Sequence, residues 1–148
     1  MTTGKVWMVA APIGAAVITV PFIIEAPRQR EARQIALGQS VYAANCAQCH
    51  GKQLQGQPDW QMPLANGRLP APPHDASGHT WHHSDEMIFN VTRNGLKPYA
   101  GENYESDMPA FTGTLKDDEI RAVVVFIKST WPERERDYQR QMTLQQGN

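Results

Sequence analysis

Cys46-Ala47-Gln48-Cys49-His50 is the stretch on which the reading of this chain turns. The chain has two cysteines, and both lie here, three residues apart. A structural disulfide staples distant segments, and this pair can staple nothing distant. Two thiols do not complete a four-ligand structural zinc site without further ligands. A thioredoxin-like dithiol opens a helix within a βαβ pattern, and no strand pattern precedes this one. The spacing and the adjacent imidazole point to a local chemical role.

Outward from that stretch the pattern is helical and then irregular. Glu31 to Ala47 shows helical periodicity, with Ile35, Leu37, Val41, Tyr42 and Ala44 as its main apolar positions. Gly38 interrupts them. Such a glycine costs about 1 kcal/mol against alanine in a helix, so it predicts a close backbone approach. Gly51 to Gly78 is punctuated by Gly56, Pro58, Pro63, Gly67, Pro70, Pro72 and Pro73 and reads as a long loop. A loop of that length needs something to organise it. Ser84 is a candidate N-cap for a helix through Met87, Ile88 and Val91 that ends at Asn94-Gly95. A second loop spans Lys97 to Gly113. Thr114 is the expected cap of a last strong helix, whose apolar face is Ile120, Val123, Val124, Phe126 and Ile127. Pro132 can start a further polar helix. Residues 132–148 read as a charged, solvated C-terminal extension, with a partner-docking tail as the alternative.

Cys-x-x-Cys followed by His is the attachment signature of c-type haem. Two thiols one helical turn apart reach two vinyl groups on one edge of the ring and form thioethers, and His50 then faces the iron. The sixth ligand is expected to be a thioether or an imidazole. Met108, in the loop before the last helix and stiffened by Pro109, is the best candidate. Met87 lies on a helical face where a core methionine is ordinary, and Met62 sits close to His50 in sequence.

These features together resemble a class I monohaem cytochrome c over about residues 31 to 131. The resemblance rests on Gly38 and Tyr42, on Cys46 to Gly51, on Asp107-Met108-Pro109-Ala110-Phe111, and on the helix from Asp118 to Ile127. It implies an all-α fold of three to five short helices around one covalent haem c. It implies that the first and last helices cross where Gly38 meets Phe126. It also implies that a proline carbonyl accepts from the outer nitrogen of His50, with Pro72 the closest match and Pro73 and Pro70 behind it. Such a chain carries electrons and is not itself an enzyme. It is matured outside the cytoplasm, on the periplasmic side in bacteria.

The first 25 residues bear on location. Val6 to Ile24 is an uncharged apolar stretch of 19 residues, about 28 Å as a helix against a hydrocarbon core of about 30 Å. It is expected to be an uncleaved signal anchor, a single transmembrane helix over residues 1–25, with residues 26–30 as linker. A cleaved secretory signal is the alternative; its best site, after Ala26, is poor. Flanking charge mildly favours the opposite orientation, and covalent haem attachment overrides it. The whole then looks like a membrane-tethered bacterial cytochrome c, with a quinol-oxidising complex as donor and a terminal oxidase as acceptor. A fixed subunit of an oxidase or dehydrogenase complex is the second reading, and a haem-based gas sensor the third.

Charge is balanced, 14 Lys+Arg against 15 Asp+Glu, which argues against nucleic-acid binding. No acid–base constellation suggests a small-molecule substrate. His74, His79, His82 and His83 cluster around Trp81. They are expected to line the haem pocket or its edge, with Trp81 donating its indole N–H to a propionate. A second metal site, copper for instance, is the sharper alternative.

Overall fold

The computed structural model describes residues 26–101 and 103–146. The expected anchor over residues 1–25 lies outside them. Among the described residues no helix is long and apolar enough to cross a membrane. The described chain forms α1 (Pro27–Asn45), α2 (Ala47–His50), a 3₁₀ turn (Thr80–His82), α3 (Asp85–Asn94), α4 (Lys97–Ala100), α5 (Asp117–Ser129) and α6 (Glu133–Gln146). Its one β feature is an isolated bridge between Thr112 and Leu115. The all-helical architecture expected from the sequence is the one observed.

Several boundaries differ from expectation for local reasons. α1 starts at Pro27, because the fixed φ of proline suits the first helical position; the expected linker is therefore helical from that residue on. Leu37, expected in the core, is 42% exposed. α1 buries only a narrow stripe of Gly38, Val41 and Tyr42. The cap of α5 is at Lys116 rather than Thr114. The Lys116 backbone N–H donates to the Glu119 carboxylate at 2.8 Å, and Thr114 belongs to the preceding turn, where its N–H bonds to Phe111 O. Asp117, Asp118 and Glu119 then sit at the positive end of the α5 dipole. Ser84 caps α3 by accepting from Met87 N–H at 3.2 Å. The residue α3 buries is Phe89, ahead of the neighbours expected from periodicity.

α1 and α5 cross at Gly38. A Cβ built there would lie 1.9 Å from Ala122 O and 2.8 Å from the Phe126 Cβ. The glycine is thus the condition for backbone contact between the two helices. The core divides into two apolar clusters. One gathers Val41, Tyr42, Ala47, Leu54, Val123, Ile127 and Trp131, with Cys46 and Trp81 packed on it. The other gathers Phe89, Phe111 and Ile120, with Met108 packed on it. Leu115 touches both.

Residues 133–146 do not stand off in solvent as a charged extension would. α6 packs on the 3₁₀ turn, and its Gln139 is fully buried. The Gln139 amide donates to Asp85 Oδ1 at 2.6 Å and to His83 O at 3.3 Å. Asp85 also takes the Lys128 ammonium at 2.6 and 2.8 Å. Trp131, 1% exposed, precedes α6 and donates its indole N–H to His74 O at 2.7 Å. A polar helix can therefore dock through hydrogen bonds, which an apolar-periodicity test does not detect.

Replacing Gly38 with alanine should lower the unfolding free energy by about 1–3 kcal/mol, the usual cost of overpacking. Denaturant unfolding of the haem-loaded protein measures it; an unchanged midpoint would contradict the crossing.

Candidate haem site

The motif is presented by a bend in the chain. α1 ends at Asn45, and the Cys46 N–H still bonds to Tyr42 O at 2.9 Å. α2 is a single turn, closed by the His50 N–H on Cys46 O at 2.9 Å. Gly51 ends it with φ of +82°, a conformation glycine adopts without strain. Cys46, Cys49 and His50 thus share one helical turn. Both thiols are free; Cys46 is half-buried and Cys49 exposed. Burial pushes the Cys46 thiol up to about 11, and Cys49 beside it adds to the effect. A redox dithiol instead holds its attacking thiol low, so the thiol-exchange alternative loses support.

His50 is 8% exposed. Its Nδ1 lies 2.8 Å from Pro72 O, across 22 residues. A carbonyl only accepts, so Nδ1 carries the proton and Nε2 keeps its lone pair for a metal. Burial lowers the His50 pKa, and the Pro72 carbonyl partly opposes this. The loop in between is held by backbone bonds. Gly56 N–H donates to His50 O at 2.8 Å, Gln57 N–H to Ala71 O at 2.9 Å, and His74 N–H to Leu54 O at 2.7 Å. A Cβ on Gly56 would lie 2.5 Å from Pro73 N, so the two ends of the loop touch backbone to backbone.

Met108 is half-buried on the second cluster, away from the cluster that carries Cys46. Its N–H donates to Ser106 Oγ at 3.0 Å. The loop around it is tied to the 56–73 loop by Arg68, which donates to Glu105 Oε2 at 3.0 and 3.2 Å and also to Asp107. Those bonds, Asp107 first, raise the Arg68 pKa. The group is exposed, so water screens it, and it acts as a positional tie rather than a source of stability.

The residues present fit a haem. The Trp81 indole N–H is buried and has no partner within the protein. A buried donor left unpaired is costly, and a propionate is the acceptor it suits. Two thiols and an imidazole with its Nε2 spare are donors of the kind such a group takes.

The four clustered histidines do not converge on one point. His74 is packed against His50, with ring centroids 4.0 Å apart. His79 stacks on Trp60 at 5.3 Å, His83 meets His79 edge-on, and His82 lies 3.8 Å from Trp81 under Tyr138. Among the described residues no three His, Cys, Asp or Glu side chains are grouped to hold a metal ion, so the second-metal alternative has no support here. Sequence reasoning missed Trp131 and Thr80, which fasten His74. Their only signal was an aromatic and a hydroxyl among turn residues.

Burial is the first cause that lowers the His74, His79 and His83 pKa values from 6.5. The unfolded chain then binds more protons than the folded one just below that value, so stability falls with acid. The melting temperature of the haem-loaded protein should fall as pH drops from about 7 to about 5.5, where free histidine titrates. His79→Gln should flatten that slope, and a pH-independent melting temperature over this range would contradict the assignment.

The cytochrome c family model matches residues 35–131. A curated relative, cytochrome c6 of Tetradesmus obliquus, is 30% identical over 93 residues, covering 63% of this chain and 86% of the relative. No solved structure matches the chain significantly. The matched span holds the motif turn, the loop carrying Pro72, the Met108 loop and α5. The chain belongs to the cytochrome c family: it is an electron-transfer protein with a covalently bound, iron-containing haem c, and Cys46 and Cys49 fit the attachment motif.

Proposed function

We propose that this chain is a membrane-tethered, exported monohaem electron carrier that takes electrons from a quinol-oxidising complex and delivers them to a terminal oxidase. Within it, Cys46 and Cys49 hold the haem, His50 and Met108 ligate its iron from opposite sides, Pro72 orients His50, and Trp81 holds a propionate. The observation that carries this reading is the His50–Pro72 hydrogen bond at 2.8 Å, which leaves the other His50 nitrogen free to ligate. When bound, the haem exchanges one electron through its iron. The residues around it have simpler tasks. Pro72 keeps the proton on Nδ1 of His50, which raises the basicity of the other nitrogen. Ser106 and Arg68 restrain the segment leading into Met108. Both axial positions filled by protein leave none for a substrate or gas, which favours a carrier over a sensor.

The tether rests on the apolar stretch from Val6 to Ile24. A tether confines diffusion and raises the effective concentration at membrane partners. Nothing in the chain's chemistry names one quinol or one oxidase; the choice of partners follows from the tether and from a thioether ligand, which favours a high potential.

Met108→Ala should keep the haem covalently attached, since the thioethers do not involve Met108. It should lower the reduction potential and abolish the weak near-infrared sulfur-to-iron band of the oxidised protein. An unchanged potential, or carbon monoxide binding by the native wild-type protein, would refute His50/Met108 ligation. The intact mass of protein taken from the membrane fraction should equal the full chain plus one haem; a mass lacking residues 1–26 would overturn the tether.

A further inference from the structure

His74 is the side chain in the site that neither haem attachment nor iron ligation uses. It is fixed by three hydrogen bonds and by ring contacts. Its N–H donates to Leu54 O at 2.7 Å. Its carbonyl accepts from the Trp131 indole at 2.7 Å. Its Nδ1 lies 2.8 Å from Thr80 Oγ1. The buried Thr80 hydroxyl in turn donates to Pro73 O at 3.4 Å. Its ring lies against His50, centroids 4.0 Å apart and planes 23° from parallel, and Tyr42 closes on it edge-on at 6.4 Å.

A histidine ring turns easily about its Cβ–Cγ bond, because a torsion ending on an sp² atom has broad wells. One hydrogen bond at Nδ1 acts on that ring as a hinge: the His50–Pro72 contact fixes a point and leaves the plane to swing. A flat surface against the ring face removes the remaining freedom. We infer that His74 is a positioning residue for the proximal ligand, its ring and the Pro72 carbonyl together setting the rotation of the His50 imidazole. The inference rests on the reading of His50 as an iron ligand. An aliphatic side chain could fill the same volume but offers no plane. The strap from Thr80 matters for the same reason, since it stops the His74 ring from rotating in its turn.

The test uses the haem-loaded protein in three variants, read by electron paramagnetic resonance of the low-spin ferric form and by the reduction potential. The g-anisotropy of such a haem follows the orientation of its axial ligands. His74→Leu keeps bulk and loses the plane, and should displace the g values and shift the potential. His74→Phe keeps the plane but loses the Nδ1 bond to Thr80, and should be displaced less than His74→Leu and about as far as Thr80→Val. Thr80→Val keeps both rings but frees Nδ1 of His74, and should displace the g values in the same sense as His74→Leu. It also serves if His74→Leu yields no haem-loaded protein. Wild-type g values in His74→Leu or in Thr80→Val would overturn the inference. So would a His74→Phe variant displaced as far as His74→Leu, since polarity and not the plane would then be at work. Absence of an imidazole-ligated low-spin signal in the wild type would instead overturn the His50 reading itself.

Discussion

The hydrogen bond between His50 and Pro72, 2.8 Å long across 22 residues, constrains more of this molecule than any other single contact. It joins the motif turn to the far end of a loop with no helix of its own. The loop's proline and glycine content makes it stiff in places and sharply turned in others, but does not close it. Closure comes from that bond and from the backbone bonds flanking it, those of Gly56 to His50 and of His74 to Leu54. With the loop closed, Pro73 and His74 are delivered to the floor of the site, and Thr80 and Trp131 can reach them. A loop of this length without helix is thereby as well determined as a helix would be.

The second constraint is the contact of α1 with α5 at Gly38. Contact with Ala122 O at a distance no Cβ could tolerate brings the two backbones together. This fixes the end of α1, hence Cys46, relative to α5, which contributes to both apolar clusters through Val123 and Ile120. Distance between the two clusters is therefore set by helix packing rather than by the loops.

Much of this was legible in the chain. The motif announces its chemistry, and Gly38, costly within a helix, announces a close approach. Ser84 announces the start of α3 because a cap is a local bargain between one side chain and one N–H. What escaped reading has a common physical cause. Leu37 has helical spacing but faces water, because α1 packs mainly on α5 and buries only a narrow stripe. Thr114 has the chemistry of a cap, yet Lys116 took the position once Glu119 reached back to its backbone. Gln139 and Trp131 are decided by partners fifty or more residues away, and no local pattern encodes such partners. Residues 133–146 look solvated to any count of charges; their docking rests on Gln139 with Asp85 and His83, Thr143 with Asp85, Gln146 with Ser84, and Tyr138 against Trp81.

The electrostatics of the site follow from the same burial. Tyr42 is raised, Cys46 is raised, and His50, His74, His79 and His83 are lowered, and in every case desolvation is the largest cause. Each shift moves its group toward its neutral form at neutral pH. The ion pairs stand on the surface, Arg68 with Glu105 and Asp107 on the loop and Lys128 with Asp85 beneath α6, while Asp75 lies near enough to Tyr42 to add to its rise. Around His50 two buried polar groups have fixed partners, Tyr42 Oη donating to Gly51 O at 2.9 Å and His74 Nδ1 lying 2.8 Å from Thr80 Oγ1. A pocket lined by neutral, tethered groups has little to rearrange when the charge at its centre changes by one electron. Mobile charged side chains at the same positions would have to follow that change, and a slow electron exchange would result. The stiffness that holds the His50 imidazole and the neutrality around it thus have one source, the buried or half-buried side chains of Tyr42, His74 and Thr80, which bond to backbone or to one another.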